Sequence, residues 1–212
     1  PSNSSAASDV YKRQVYNVRL TTAETDNYEK GTATVQFVIV PREVGIEAVT
    51  VSDKIYDGTA DAEITSNGSI TNLVNGDDVT VVAGKANFSD KNVGTDKTVA
   101  FSGFALDGDD AANYRLAGQP ASVTADISVK EITINGTAVK NSRVYDGTTD
   151  AEITDAGTPS ENYDGENLTI AAGNASYENK NVGTGKKVTF SRFALAGDAA
   201  ANYRLIAQPT DV

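Results

Sequence analysis

Along residues 123–130, Val123, Ala125, Ile127 and Val129 alternate with Thr124, Asp126, Ser128 and Lys130, the period of a strand with one buried face. Shorter segments of the same kind cover 78–82, 86–89 and 97–106, with Gly, Asp and Asn turn residues between them. No helical period is sustained, apart from a possible single turn at 108–113. The pattern predicts an all-β chain. Within 97–106 the alternation slips: Val99 and Phe101 share one parity, Phe104 and Leu106 the other. A β-bulge between Ser102 and Gly103 would return both pairs to the core. Val188, Phe190, Phe193 and Leu195 repeat the slip around Ser191 and Arg192. Two further strand candidates, 16–20 and 33–40, flank Asp26-Asn27-Tyr28 near the start.

The slip recurs because the sequence recurs. Residues 54–123 align without a gap to 143–212, an offset of 89, with 38 identities in 70 positions. Solenoid units run roughly 20–50 residues and do not fold singly, so this period indicates a small autonomous domain, present twice. The segments are 15–43, the C-terminal hairpin of a truncated preceding β module; 44–131, the first copy; and 132–212, the second copy without its last strand. The neighbour of that strand is expected to present unpaired backbone groups. Glu43 and Glu131 mark matching junctions with no Gly/Ser-rich linker, so the copies should join semi-rigidly, end to end.

The 212 residues include no His, Cys, Met or Trp, which excludes the common zinc, haem, iron–sulfur and thiol sites and the usual base of a serine nucleophile. With 18 basic and 29 acidic residues the net charge is −11, unsuited to nucleic acid or anionic lipid. No apolar run is long enough to span a bilayer. The chain starts at Pro1 and contains no Met, so the natural start is expected upstream. Ser4 to Gln14 resembles a translated sequencing adaptor, and 1–14 are set aside as a disordered artefact.

Candidate chemistry is sparse. In Tyr56-Asp57-Gly58-Thr59 and Tyr145-Asp146-Gly147-Thr148, Asp-Gly makes a tight turn and the tyrosine packs on the core. This reading serves each copy's own shape and places Tyr56 and Tyr145 in like surroundings. The alternative is a cation site or acid/base pair from Asp57, Asp61 and Glu63. Asn113-Tyr114 and Asn202-Tyr203 resemble a tyrosine corner, whose hydroxyl reaches an upstream backbone group. Asp107, Asp109 and Asp110 form a weak calcium candidate, reduced in the second copy to Asp198 alone. Lys91, Asn113 and Glu63, with Lys180, Asn202 and Glu152, are the residues from which an intramolecular isopeptide bond would be built.

Taken as a set, Lys54-x-Tyr56-Asp57-Gly58-Thr59, Lys91-Asn92-Val93-Gly94-Thr95 and Asn113-Tyr114-x-Leu116 resemble the YDG domain. The resemblance implies tandem extracellular β modules, immunoglobulin-like sandwich or β-grasp-related, of bacterial cell-surface proteins such as adhesins. It brings no catalytic residue and no cofactor. The segment before the first copy resembles the end of a bacterial immunoglobulin-like repeat. Three functions follow as expectations. The first is a stalk or spacer whose partners are neighbouring repeats, with host glycan or protein bound by other domains. The second is an adhesive module that itself binds glycan or host protein, with Tyr163 as the exposed tyrosine to test; the third is hydrolysis by a carboxylate pair.

Overall fold

The structure, a computed structural model, describes residues 14–21, 26, 31–163 and 165–212. The expectation of disorder over 1–14 lies outside these residues except at Gln14, which begins a strand. Asn27 and Tyr28 also lie outside them. The described chain is all-β, with two three-residue 3₁₀ turns, Ala111–Asn113 and Ala200–Asn202, as its helical elements. The first falls inside the single turn expected at 108–113.

The chain forms two compact units that cut across the sequence repeats. One comprises the described residues through Thr50, Ile64–Lys85 and Phe101–Ser122. It holds the hairpin Gln14–Thr21 with Thr32–Ile39, paired antiparallel over its whole length. Strand Arg42–Val51 is flanked by Ile64–Thr71 and, in parallel, by Tyr114–Leu116. Val44, Val79 and Tyr114 form its buried centre, with Ile70, Leu73 and Leu106 against them.

The other unit comprises Val51–Glu63, Ala86–Ala100 and Val123–Val212. Its five-stranded sheet has the order Lys54–Ile55, Val123–Ser128, Gly94–Ser102, Lys85–Phe88, Asp61–Ala62. The alternation read at 123–130 is realised here: Ala125 and Ile127 are buried while Thr124 and Ser128 are exposed. Burial of Ile127 contributes on the order of 1.5–3 kcal/mol and that of the smaller Ala125 less. The second repeat lies entirely in this unit, around Ile134, Ala175, Val188, Phe190 and Phe193.

The parity slip is real, but it is a corner and not a bulge. Strand Val188–Ser191 pairs with Asn174–Tyr177 and ends. Arg192 takes φ 61°, and Ala194–Ala196 then pairs with Thr169–Ala171. One left-handed residue therefore reverses the parity and hands the chain to a new partner strand, which leaves Phe190 and Phe193 edge to face at 5.8 Å. Gly103, φ 74°, occupies the same position in the first copy, where Phe101 and Phe104 meet at 5.6 Å. A glutamine side chain braces each corner: the Phe193 amide donates to Gln208 Oε1 at 2.7 Å, and the Phe104 amide to Gln119 Oε1 at 2.8 Å.

Strand Val123–Ser128 closes the first copy. That strand pairs antiparallel with Gly94–Ser102 and parallel with Lys54–Ile55. In the second copy Val212 takes the place of Val123, exchanging both backbone hydrogen bonds with Val188 at 2.6 and 3.1 Å. Residues 183–187 and 143–144 are not strands, although their counterparts 94–98 and 54–55 are.

Candidate functional site at the repeat junction

Lys54 organises the Tyr56-Asp57-Gly58-Thr59 loop. Its ammonium donates to Asp57 Oδ1 (2.8 Å), Thr59 O (2.9 Å), Thr59 Oγ1 (3.1 Å) and Asp61 O (2.8 Å). Asp57 Oδ1 also accepts from the Thr59 amide and hydroxyl, each at 2.9 Å, closing an Asx-type turn. Burial acts to raise the Asp57 carboxyl, but these hydrogen bonds outweigh it and hold it below its ordinary value. Arg143 does the same work in the second copy, donating to Asp146, Thr148 and the Asp150 carbonyl. The Lys-to-Arg difference between the copies therefore preserves the device.

The loop presents Tyr56 to the second repeat. The Tyr56 residue is 1% exposed, with its ring edge-on to Tyr203 (5.4 Å between centroids) and Tyr163 (5.8 Å). Its hydroxyl donates to Glu166 Oε1. The same oxygen receives Lys91 Nζ at 2.7 Å, while Tyr203 donates to Oε2 at 2.7 Å. The Glu166 side chain is 4% exposed, so a carboxylate buried in an aromatic pocket is kept charged by three donors.

The electrostatics follow this geometry. Burial acts to raise the Glu166 carboxyl, and the bonds from Lys91, Tyr203 and Tyr56 overcome it, leaving the group below the ordinary glutamate value. Burial first, and then the carboxylate, push both the Tyr203 and Tyr56 hydroxyls up. The hydrogen bond to Glu166 raises Lys91.

Beside this cluster the Lys91-Asn92-Val93-Gly94 loop of the first repeat covers Asn202. Asn202 Oδ1 accepts from the Val93 amide at 3.0 Å, and its Nδ2 donates to Asn92 Oδ1 at 3.1 Å. Asn202 is buried, whereas its counterpart Asn113 is exposed. The three motifs that define each repeat thus meet across a junction, two loops from the first copy against Asn202-Tyr203 of the second. Among the described residues no buried side-chain nitrogen or oxygen is left without a partner.

Several expectations are corrected here. Tyr56 and Tyr145 do not share surroundings: Tyr145 is 55% exposed, whereas Tyr56 is covered by Tyr163 and Tyr203. Tyr163 is not an exposed tyrosine free to stack on a sugar but part of the junction, with its side chain 3.0 Å from where a Cβ on Gly58 would lie. The tyrosine-corner reading fits in outline: the Tyr114 hydroxyl accepts from the Val74 amide at 3.1 Å and donates to Asp77 Oδ2 at 2.5 Å. Tyr203 repeats this with the Tyr163 amide at 3.4 Å and with Glu166.

The isopeptide residues are not assembled. Lys91 holds Glu166 and Asn113 is exposed. Glu63 is exposed and accepts from Ser52 Oγ at 3.4 Å. In the second copy Asn202 is engaged with Asn92 and Val93, Lys180 is exposed, and Glu152 pairs with Lys140 at 2.9 Å. The acidic alternative at the YDG loop does not form either, since Asp57 is held by Lys54 and Asp61 accepts from Asn87 at 3.0 Å. Asp110 Oδ2 accepts from the Asp78 amide at 2.9 Å, and Asp107 lends its backbone carbonyl to Thr80. With Asp109 they make no metal-binding group, and none of three or more acidic side chains occurs among the described residues.

Sequence reasoning missed Glu166 and Asp77, the acids beneath the two corner tyrosines. The available signal was that an acid recurs at the 89-residue offset ahead of each Asn-Tyr pair.

An all-β chain whose recurring motifs join one copy to the next is a tandem-repeat protein. The YDG domain family profile matches residues 40–125 and 126–211, and the chain belongs to that family. Searches among curated proteins and among solved structures each returned no match.

Proposed function

We propose that the chain is a non-catalytic structural region, a stalk or spacer, of a secreted bacterial cell-surface protein of the adhesin kind. The observation that carries this reading is the junction. Residues that recur at the 89-residue offset, Tyr56, Lys91, Asn92, Val93, Asn202 and Tyr203, are engaged in coupling consecutive repeats. Coupling of this kind suits a protein that must transmit position along tandem modules. In this reading residues 15–43 close a bacterial immunoglobulin-like module, and the acidic surface keeps a long extracellular array soluble.

The test is a glycan array and a panel of host matrix proteins, probed with the whole chain. A spacer gives no saturable binding. A saturable ligand would transfer the reading to an adhesive module that binds glycan or host protein directly.

A further inference from the structure

The turn at 74–77 carries Asn75-Gly76 and is closed by a hydrogen bond from the Asp77 amide to the Val74 carbonyl at 3.2 Å. We propose that Asn75 is a site of spontaneous covalent modification, at which water converts the asparagine to aspartate and isoaspartate through a cyclic imide. The proposal stands independently of the stalk reading, because it rests on the backbone around one dipeptide.

In the first step the Gly76 amide nitrogen attacks Asn75 Cγ. The N–Cγ bond forms, and the side-chain nitrogen leaves with the amide proton as ammonia. Water then opens the imide. Addition at one carbonyl gives aspartate, and at the other isoaspartate, in which the main chain runs through the side-chain carbon. The attack needs an unhindered nitrogen, which glycine, lacking Cβ, supplies best. Three Asn-Gly pairs occur in the chain, Asn67-Gly68, Asn75-Gly76 and Asn135-Gly136.

The fold singles out the second of them. Asn67 lies within strand Ile64–Thr71, and the Gly68 amide donates to Ser66 Oγ at 3.2 Å. Asn135 is paired with Thr158, and the chain is held again beyond Gly136 by Ala138–Val139 against Ile153–Asp155. Asn75 and Gly76 are both exposed and outside any strand. Nothing lies within 4 Å of a Cβ position on Gly76. Among the described residues neither the Gly76 amide nor the Asn75 side chain has a hydrogen-bond partner, so nucleophile and target are both free to rotate together.

The second repeat bears on the same turn. The counterpart of Asn75 is Asp164, so the aspartate product is a residue that this position already carries. The counterpart of Gly76 is Gly165, which also has nothing within 4 Å although Tyr56 of the preceding repeat packs on Tyr163. A module seated ahead of a repeat therefore leaves this glycine open. The isoaspartate product is different. The Tyr114 hydroxyl accepts from the Val74 amide at 3.1 Å and donates to Asp77 Oδ2 at 2.5 Å, so it clasps both ends of the turn. An extra main-chain carbon between those ends breaks one of the two bonds.

The experiment incubates the whole folded chain at mildly alkaline pH, beside a sample unfolded in guanidinium chloride. Each Asn-Gly pair is followed by peptide mass spectrometry with electron-transfer fragmentation, which separates aspartate from isoaspartate. In the folded chain Asn75 should convert about tenfold faster than Asn67 or Asn135, and in the unfolded sample the three rates should converge. Asn75→Asp should melt with the parent, while the isoaspartyl fraction should melt a few degrees lower. Asn75 left intact when the unfolded sample has converted, or Asn67 or Asn135 keeping pace with it in the folded chain, overturns the proposal. An isoaspartyl fraction that melts with the parent overturns its consequence for Tyr114.

Discussion

Tyr56 of the first repeat donates its hydroxyl hydrogen to Glu166 of the second, 110 residues further along the chain. Sequence offset pairs Tyr56 with Tyr145, yet the residue that decides its environment belongs to the other copy. The same inversion holds for Asn202, buried under Asn92 and Val93, while Asn113 stands in solvent.

Truncating these two asparagines should therefore have unequal effects. Asn202→Ala leaves the half-buried Val93 amide without its acceptor, a loss of about 1–3 kcal/mol. Asn113→Ala, at an exposed position, should stay within about 0.5 kcal/mol of the parent. Urea denaturation of both variants checks the pair.

The two YDG glycines should separate backbone strain from contact. Gly58 and Gly147 have φ 79° and 82°, so alanine is strained at either by about 1–2 kcal/mol. Only at Gly58 would the new Cβ press on Tyr163, at 3.0 Å; nothing lies within 4 Å of it at Gly147. Gly58→Ala should lower the melting temperature clearly more than Gly147→Ala, and the difference reports the junction.

Lys54→Arg should be tolerated, since Arg143 already makes the equivalent set of bonds. Lys54→Ala removes the donor to two carbonyls, a hydroxyl and Asp57 at a side chain 16% exposed. A cost of about 1–3 kcal/mol is expected by chemical denaturation.

The junction should set a pH window. Glu166 is held below its ordinary value, so its contribution is complete above about pH 4.3 and is lost as pH falls through the folded-state value. Lys91, Tyr56 and Tyr203 are raised, so theirs is complete below about pH 10 and is lost above it. Melting temperature should be flat between these limits and fall on both sides. Glu166→Gln should lower the plateau and remove part of the acid limb.

Much of the fold is legible in the sequence because alternation and turn residues are local signals. Val123–Ser128, the hairpin at 14–39 and the turn at 111–113 all follow from them. The parity slip at Phe101 and Phe104 was visible too, but not its resolution, since a bulge and a corner differ only in which strand comes next. The site was harder for a different reason. Repetition shows which residues recur and is silent about which neighbour they face. Tyr56, Lys91 and Asn202 look like three separate internal signatures until the tertiary fold brings two copies together. Glu166 escaped notice because one acid among 29 carries no local mark.

The central claim is that these motifs couple repeats, and a double-mutant cycle between Tyr56→Phe and Glu166→Gln tests it most directly. Measured by urea denaturation, the two changes should be strongly non-additive, with a coupling energy of about 1–3 kcal/mol. Strictly additive effects, leaving a coupling energy near zero, would contradict it.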